Sequence, residues 1–183
     1  MVVTKVKQIK SVNKLADGIK YIEDGAKTIG TELIDSDLNF PVKVVDGQIV
    51  SQLVSGNLVI DVESAYSEFM MLKQLANLEK GRPINNEELV KNDVLAHHII
   101  QSFSPEDNLT PEQVHEIGRK TALELTGGSH QFVIATHMDK GHLHNHIYIN
   151  STNSVTLNKF RWQKGTKKAL EQISDKYADL AGA

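Results

Sequence analysis

The sequence places four of its eight histidines within ten residues: His137, His142, His144 and His146. Alternate residues of a β-strand share a face, so His144 and His146 are predicted to lie side by side. His137, from the preceding strand, can add a third imidazole across a hairpin. Three imidazoles bind a divalent ion and leave positions open for a substrate. The spacing therefore predicts a catalytic metal centre rather than a purification tag or a polar sheet face without a function.

The residues around these histidines are predicted to support the site. Asp139 can hold one imidazole by its second nitrogen and so fix its tautomer. The strand face that carries the histidines continues through Tyr148 and Asn150, which are predicted to line the site together with His142. The other four histidines are expected to be structural or exposed, although a role for the mid-strand His98 stays open: His97, His98, His115 and His130.

The composition is that of an ordinary globular domain, with 40% hydrophobic and 23% charged residues. The lack of cysteine excludes disulfides and thiolate metal sites. No apolar run approaches the ~18 residues of a membrane span, and the N-terminus does not resemble a signal peptide. We therefore expect a cytoplasmic protein without membrane insertion. The net charge of −3 argues against a nucleic-acid binder, but residues 1–28 and 155–170 are basic and could build one basic face or two solvated surfaces.

The hydrophobic pattern predicts short strands that alternate with helices. Asp46-Gly47 indicates a hairpin within residues 39–54, and Thr110-Pro111 with Gln113 is typical of a capped helix start. We predict an α+β fold in one domain, residues 1–183, with a central antiparallel sheet and helices packed mainly on one face. The predicted strands are 2–9, 94–103, 131–137 and 143–151, and the predicted helices are 11–24, 61–79, 111–126 and 166–181.

One segment of the chain resembles the third motif of conjugative relaxases in the HUH endonuclease superfamily: His137-x-Asp139-x4-His144-x-His146-x3-Asn150. The variant is that of the MobA/MobL and T-DNA border endonuclease branch, often called MOBP. The resemblance implies the palm-like fold of these relaxases. It also implies a divalent metal, Mn or Mg before Zn, Co or Ni, bound by the three histidines of this motif.

A second segment, Lys20-Tyr21-Ile22, resembles the first motif of that branch, whose tyrosine is the DNA-cleaving nucleophile. The order also fits, because rolling-circle initiators place the tyrosine after the histidines. Tyr21 is therefore the predicted nucleophile, with Tyr177 and Tyr148 as the alternatives. Segments 97–103 and 109–112 resemble the central strand and helix start of the family.

The implied reaction is attack of Tyr21 on a phosphodiester of the transfer origin, which leaves a reversible 5′-phosphotyrosyl adduct. A tyrosine hydroxyl keeps its proton at neutral pH, so it needs the metal or a base. Asp139 or His142 could be that base, or Asp139 could act through His137. In another arrangement His137 itself is the base and only the later histidines bind the metal.

Single-stranded transfer-origin DNA is the implied substrate. Phe160 and Trp162 are predicted either to stack on bases or to pack the last helix. Residues 75–96 lack the serine of a second family motif, whose backbone contacts Arg82 and Asn85 are predicted to replace. The predicted DNA contacts are Lys20, Lys27, Arg82, Lys159, Arg161, Trp162, Lys164, Lys167 and Lys168.

Two other functions remain open at this point. A metal hydrolase that uses water would leave Tyr21 incidental, and a DNA-binding module without catalysis would need neither the metal nor Tyr21. The resemblance further implies an accessory DNA-binding protein and a type IV secretion coupling protein as partners. Residues 35–58 are predicted to be an insertion, and the chain is predicted to be the N-terminal part of a longer protein.

Overall fold

Strands and helices are interspersed along the described part of the chain, which is residues 2–23, 42–45, 48–51, 53–81, 93–138 and 142–183 of a computed structural model. The strands are β1 (Val3–Ile9), β2 (Val42–Val45), β3 (Gln48–Ser51), β4 (Val54–Asn57), β5 (Ala96–Ser102), β6 (His130–His137) and β7 (His144–Asn153). The α-helices are α1 (Val12–Ile22), α2 (Ala65–Glu79), α3 (Pro111–Thr126) and α4 (Thr166–Leu180).

Five strands form one antiparallel sheet in the order β1-β5-β7-β6-β4. β7 lies at the centre, and its register places His144 opposite His137 of β6 and Ser102 of β5. The predicted α+β class with a central antiparallel sheet is confirmed. The sequence pattern missed the edge strand β4, because its four residues include a glycine and an asparagine, which are poor strand formers.

Helices cover both faces of this sheet, whereas the sequence pattern predicted them mainly on one. We call the face that carries His144 and His146 the front face, and the opposite one the back face. Both faces need a cover because β6 is buried along its whole length and is apolar on both sides. The front core joins α1 and α2 to the sheet through Leu15, Ile19, Phe69, Val133 and Ala135. The back core joins α3 and α4 to the sheet through Ala122, Phe132, Ile134, Ile147 and Leu170.

Helix α3, one of the two helices on the back face, begins as the sequence predicts. Thr110 Oγ1 accepts a hydrogen bond from the Gln113 amide at 3.2 Å, and Gln113 Oε1 accepts one from the Thr110 amide at 2.9 Å. This reciprocal capping box satisfies two amides that the first turn leaves unpaired. α3 ends at Gly127, whose φ of 75° suits a residue without a side chain.

Helix α1 positions the front of the molecule. Ser11 caps it by accepting from the Lys14 amide at 3.4 Å, and the helix ends at Ile22. Gly18 lets it approach the sheet, because a Cβ there would lie 2.2 Å from the hydroxyl oxygen of Tyr148. This close contact determines where the last turn of α1 lies above β6 and β7.

β2 and β3 pair antiparallel with Val45 opposite Gln48, which is the pairing expected of the predicted hairpin. Its turn, Asp46-Gly47, lies outside the described residues. The assignment of residues 39–54 to an insertion therefore stays a prediction. No helix in the described part of the chain is long and apolar enough to cross a membrane.

Candidate functional site

Three histidines meet at one end of the front face. His137 ends β6, and His144 and His146 begin β7 on the same face of the hairpin. The ring of His137 lies 5.1 Å from that of His144 and 4.4 Å from that of His146, between centroids. One nitrogen from each ring lies within 4.8 Å of the others. Three imidazole nitrogens at this spacing form a donor set that could hold one divalent ion.

The backbone of α1 orients the first of these rings. His137 Nε2–H donates a hydrogen bond to the carbonyl oxygen of Ile22 at 2.9 Å. A neutral imidazole that donates through Nε2 binds an ion through Nδ1. The last turn of α1 therefore selects the tautomer of His137 as well as covering it.

A fourth histidine, His98 of β5, contacts the cluster. Its Nε2 shares a hydrogen bond of 2.9 Å with His146 Nδ1. Burial, with the charges of Lys7 and His137, lowers the pKa of His98 to about 4. A neutral His98 can accept a hydrogen bond from His146 Nδ1–H, which leaves Nε2 of His146 to bind an ion. The sequence argument had left His98 open, and the signal that could have assigned it was its mid-strand position.

Tyr21 lies in the last turn of α1, beside the cluster. Its ring centroid is 6.0 Å from that of His137 in an edge-to-face arrangement, and half of the side chain is exposed. The next residue but one, Glu23, caps the helix. Burial, with the nearby charges of Glu63 and Asp61, raises the pKa of Glu23 to about 7. An exposed phenol thus lies beside the histidines, and a carboxyl with a raised pKa follows it two residues along the chain.

Two residues predicted to line the site lie farther along β7. Tyr148 is buried in the front core, its ring stacks on His98 at 4.2 Å, and burial raises its pKa to about 12. Asn150 is fully buried and donates to Gln131 Oε1 at 2.9 Å. It lies four residues from His146, about 13 Å along the strand. The structure brings Tyr148 next to His98 but does not bring Asn150 to the cluster.

His142 stays close to the cluster, with its ring 5.2 Å from that of His144. Four other residues with predicted roles lie outside the described part of the chain: Asp139, Lys27, Arg82 and Asn85. Lys20 is exposed on α1, one residue before Tyr21.

The basic segment that follows β7, residues 155–170, does not lie beside the histidine cluster. Trp162 packs against the back core, and His97, on the back face, contacts it with ring centroids 5.7 Å apart. Lys159 pairs with Asp93 at 2.9 Å, at the end of the sheet opposite the histidine cluster. The other basic residues of the segment are exposed: Arg161, Lys164, Lys167 and Lys168. This segment therefore forms a surface separate from the front-face site.

Two lysines that were not predicted as DNA contacts lie beside the cluster instead. Lys5 and Lys7 of β1 are exposed, and Lys7 is opposite His98 in the register. Lys5 is opposite Ile100, which is opposite His146. Directly opposed residues share a face of the sheet, so both lysines lie on the front face. The alternation of residues 2–9 could have identified them.

Comparisons with known proteins agree with the geometry of the site. The family described as "Relaxase: MobA/VirD2-like, nuclease domain" matches residues 45–182. The chain is 42% identical over 211 aligned residues to the group II intron-interrupted relaxase LtrB of Lactococcus lactis subsp. cremoris strain MG1363, covering 100% of this chain and 38% of that protein. It is also 35% identical over 115 residues to the protein rlx of Staphylococcus aureus, covering 63% of this chain and 32% of that protein. The chain thus spans less than half the length of these curated relatives.

Proposed function

The chain belongs to the family of MobA/VirD2-like relaxase nuclease domains, and from this premise we propose that it nicks one DNA strand at the transfer origin of a plasmid or integrative conjugative element. The attacking group in this proposal is the Tyr21 hydroxyl. The observation that carries it is the position of that residue, in the last turn of α1 with its ring 6.0 Å from the His137 ring. Half of the Tyr21 side chain is exposed, so a DNA strand can reach it.

The histidine cluster fits a divalent metal ion. Its donor set is three imidazoles whose nitrogens lie within 4.8 Å of one another, and two of the rings are oriented by hydrogen bonds to Ile22 and His98. A divalent cation bound by His137, His144 and His146 would neutralise the phosphate and polarise it toward attack. Mn or Mg is the proposed ion, as the family resemblance implies, with Zn, Co or Ni as alternatives that suit imidazole ligands.

The proposed chemistry is a transesterification. Tyr21 Oη forms a bond to phosphorus, and the bond between phosphorus and the 3′ oxygen breaks. The tyrosine proton passes to a base, and the leaving 3′ oxygen takes up a proton. One DNA end becomes a 5′-phosphotyrosyl ester and the other a 3′-hydroxyl. Because the ester keeps the energy of the broken bond, the same residue can later reseal the strand.

The proton acceptor is proposed among the groups around the cluster. Asp139 and His142 are the candidates for direct acceptance, and His137 could accept if only His144 and His146 bind the ion. Positive charge on the front face favours the phosphate backbone, and Lys5, Lys7 and Lys20 are exposed there or beside it. An accessory DNA-binding protein and a type IV secretion coupling protein are the proposed partners.

The proposal is tested by looking for the covalent product. The protein is incubated with Mn²⁺ and labelled single strands that tile the transfer origin of its own element, and the products are separated on a denaturing protein gel. We expect a DNA-linked protein band that is lost with EDTA and with Tyr21→Phe. Tyr66→Phe on α2 is the matched control and should keep the band.

Two results would overturn the tyrosine mechanism. Cleavage without a linked band would make water the nucleophile, as in a metal-dependent hydrolase. Tight binding without cleavage of any tile, with or without metal, would indicate a DNA-binding module instead.

A further inference from the structure

A groove of about 600 Å³ opens on the back face of the sheet. It lies at the opposite end of the strands from the histidine cluster. His97, in its wall, pairs in register with Ile149, which is five residues from His144 or about 17 Å along β7. The groove is therefore separate from the front-face site in both face and position. The residues on which the argument rests are Lys10, His97, Lys159, Phe160, Arg161 and Trp162.

Aromatic rings form one wall of the groove. The ring of Phe160 lies edge-on to that of His97 at 5.4 Å, and the ring of Trp162 lies 5.7 Å from His97 at an angle of 34°. Trp162 is half-buried, with one part against the back core. Planar side chains of this kind, partly open to solvent, are surfaces on which nucleic-acid bases stack irrespective of sequence.

The charge of the groove is complementary to phosphate. Three cations and one carboxylate line it, and the carboxylate, Asp93, is already paired with Lys159 at 2.9 Å. Lys10 and Arg161 are exposed and form no ion pair within the described residues. Three more exposed lysines follow Trp162 toward the start of α4: Lys164, Lys167 and Lys168.

A buried hydrogen-bond acceptor completes the wall. His97 Nε2–H donates to the carbonyl oxygen of Phe160 at 3.2 Å. Burial lowers the pKa of His97, so the ring is neutral and its Nδ1 is an acceptor. The side chain is 98% buried, and Nδ1 has no hydrogen-bond partner among the described residues. Buried polar atoms are nearly always paired, so a bound ligand or water is expected to supply the donor that this nitrogen lacks.

We propose that this groove is a second binding site for single-stranded DNA, in which a base stacks on Trp162 and the neighbouring phosphates contact Lys10 and Arg161. The proposal deepens the proposed function and rests on it, because it assigns part of the bound strand to the back of the sheet. Nucleotides held here are distant from the bond that Tyr21 attacks. The site therefore contributes to affinity and to the direction of the strand, not to the chemical step.

The single tryptophan of the chain makes the test direct, because Trp162 alone provides the tryptophan fluorescence. Tyr21→Phe protein is titrated with a single-stranded oligothymidylate of about 15 nucleotides at low salt, a length that such a site can hold. Trp162 fluorescence and the anisotropy of a label on the oligonucleotide are recorded together. We expect both signals to saturate at the same concentration.

Substitutions of exposed residues test the charge. Arg161→Gln and Lys10→Gln remove groove charges without touching the core. Each is expected to weaken binding severalfold and to reduce the slope of log affinity against log salt by about one. Lys120→Gln, on the exposed side of α3, removes the same charge elsewhere and should leave both values nearly unchanged.

Three outcomes would overturn the groove as a DNA site. One is saturating anisotropy without a change in Trp162 fluorescence, another is groove variants that behave as Lys120→Gln does, and the third is no binding of the oligonucleotide at all. The gel assay for the Tyr21 adduct is independent of these signals. A failed groove with an intact adduct therefore leaves the proposed function standing.

Discussion

The two sides of the β6–β7 hairpin both bury histidine, but they use it differently. On the front, His137 and His146 each use one ring nitrogen in a hydrogen bond within the protein, and the cluster also brings one nitrogen from each of its three rings together. On the back, His115 of α3 contacts Thr136 Oγ1 at 2.9 Å through Nδ1 and Ser55 Oγ at 2.7 Å through Nε2. Burial alone therefore does not identify a metal ligand. The bonding of the second nitrogen separates the two kinds of histidine.

The back-face contacts also support the front-face cluster. Thr136 precedes His137 and donates to Asn145 Oδ1 at 2.6 Å, and Asn145 lies between His144 and His146. Asn145 Nδ2 in turn donates to Gln101 Oε1 at 3.0 Å. This buried network ties β5, β6 and β7 together directly behind the histidines. Rigid strands of this kind hold ligands in place better than loops do.

The largest difference between the two sides should appear in metal binding. His144→Ala removes one of three imidazole ligands, so we expect Mn²⁺ affinity to fall by more than about 100-fold, a loss larger than that typical of an outer-shell change. His130→Gln replaces a buried back-face histidine with another donor to the Asn150 carbonyl and should bind Mn²⁺ normally. Isothermal titration calorimetry measures both, and equal affinities would contradict the assignment of the cluster.

A substitution of the back-face residue His115 should change the free energy of unfolding instead of the metal affinity. His115→Leu leaves the hydroxyls of Ser55 and Thr136 without their imidazole partner, so the free energy of unfolding should fall by about 2–4 kcal/mol. Urea denaturation in EDTA measures the change. If the variant is as stable as the parent protein, the network does not stabilise the fold.

The pH dependence of stability should follow the same histidine. Burial, with the charge of Arg119, lowers the pKa of His115 to about 3 from an ordinary value near 6.5. Between these values the unfolded chain binds a proton that the folded chain excludes. Its stabilising contribution is therefore complete above pH 6.5 and is lost as the pH falls toward 3. In His115→Leu the acid-induced loss of stability in this window should be smaller, and an unchanged slope would assign the effect to other groups.

A smaller effect on Mn²⁺ affinity is expected from substitutions of His98, which contacts His146 of the cluster. His98→Phe keeps the ring against Tyr148 but removes the partner of His146 Nδ1, and Mn²⁺ affinity should fall by about 10–100-fold. His98→Gln retains a side-chain acceptor and should recover part of the loss. Equal affinity in His98→Phe and the parent protein would show that His98 only packs.

The smallest effect, on stability and on adduct formation, is expected from a substitution of Tyr148. Its hydroxyl oxygen lies close to Gly18, against the front core. Tyr148→Phe should change the free energy of unfolding by less than about 1 kcal/mol and should leave adduct formation intact. Loss of the adduct in this variant would move the nucleophile from Tyr21 to Tyr148.

Local patterns predicted much of this architecture. The period of two along β7 predicted that His144 and His146 share a face, and the capping box at Thr110 predicted the start of α3. The pattern predicted helices mainly on one face of the sheet. It could not show that helices cover both faces, although β6 is apolar on both sides. Short edge strands such as β4 carry too few residues for a signal.

Long-range placement could not be derived from the residues alone. Tyr21 and His137 are more than a hundred residues apart, and only the resemblance to relaxases connected them before the structure did. The sequence showed that residues 155–170 are basic, but it did not show on which face of the sheet they lie. The bridge between Thr152 and Lys159 and the packing of Trp162 on the back core decide that it lies away from the histidines.

The central claim is that Tyr21, held beside the histidine cluster, forms the bond to DNA. The most direct measurement is peptide mapping of the covalent product after trypsin and nuclease treatment. Tryptic cleavage after Lys20 and Lys27 yields a peptide in which Tyr21 is the only tyrosine. We predict that the nucleotide-modified peptide is Tyr21–Lys27 and that its formation requires a divalent metal. Modification of a peptide that carries Tyr66, Tyr148 or Tyr177, or DNA cleavage with every tyrosine unmodified, would contradict the account.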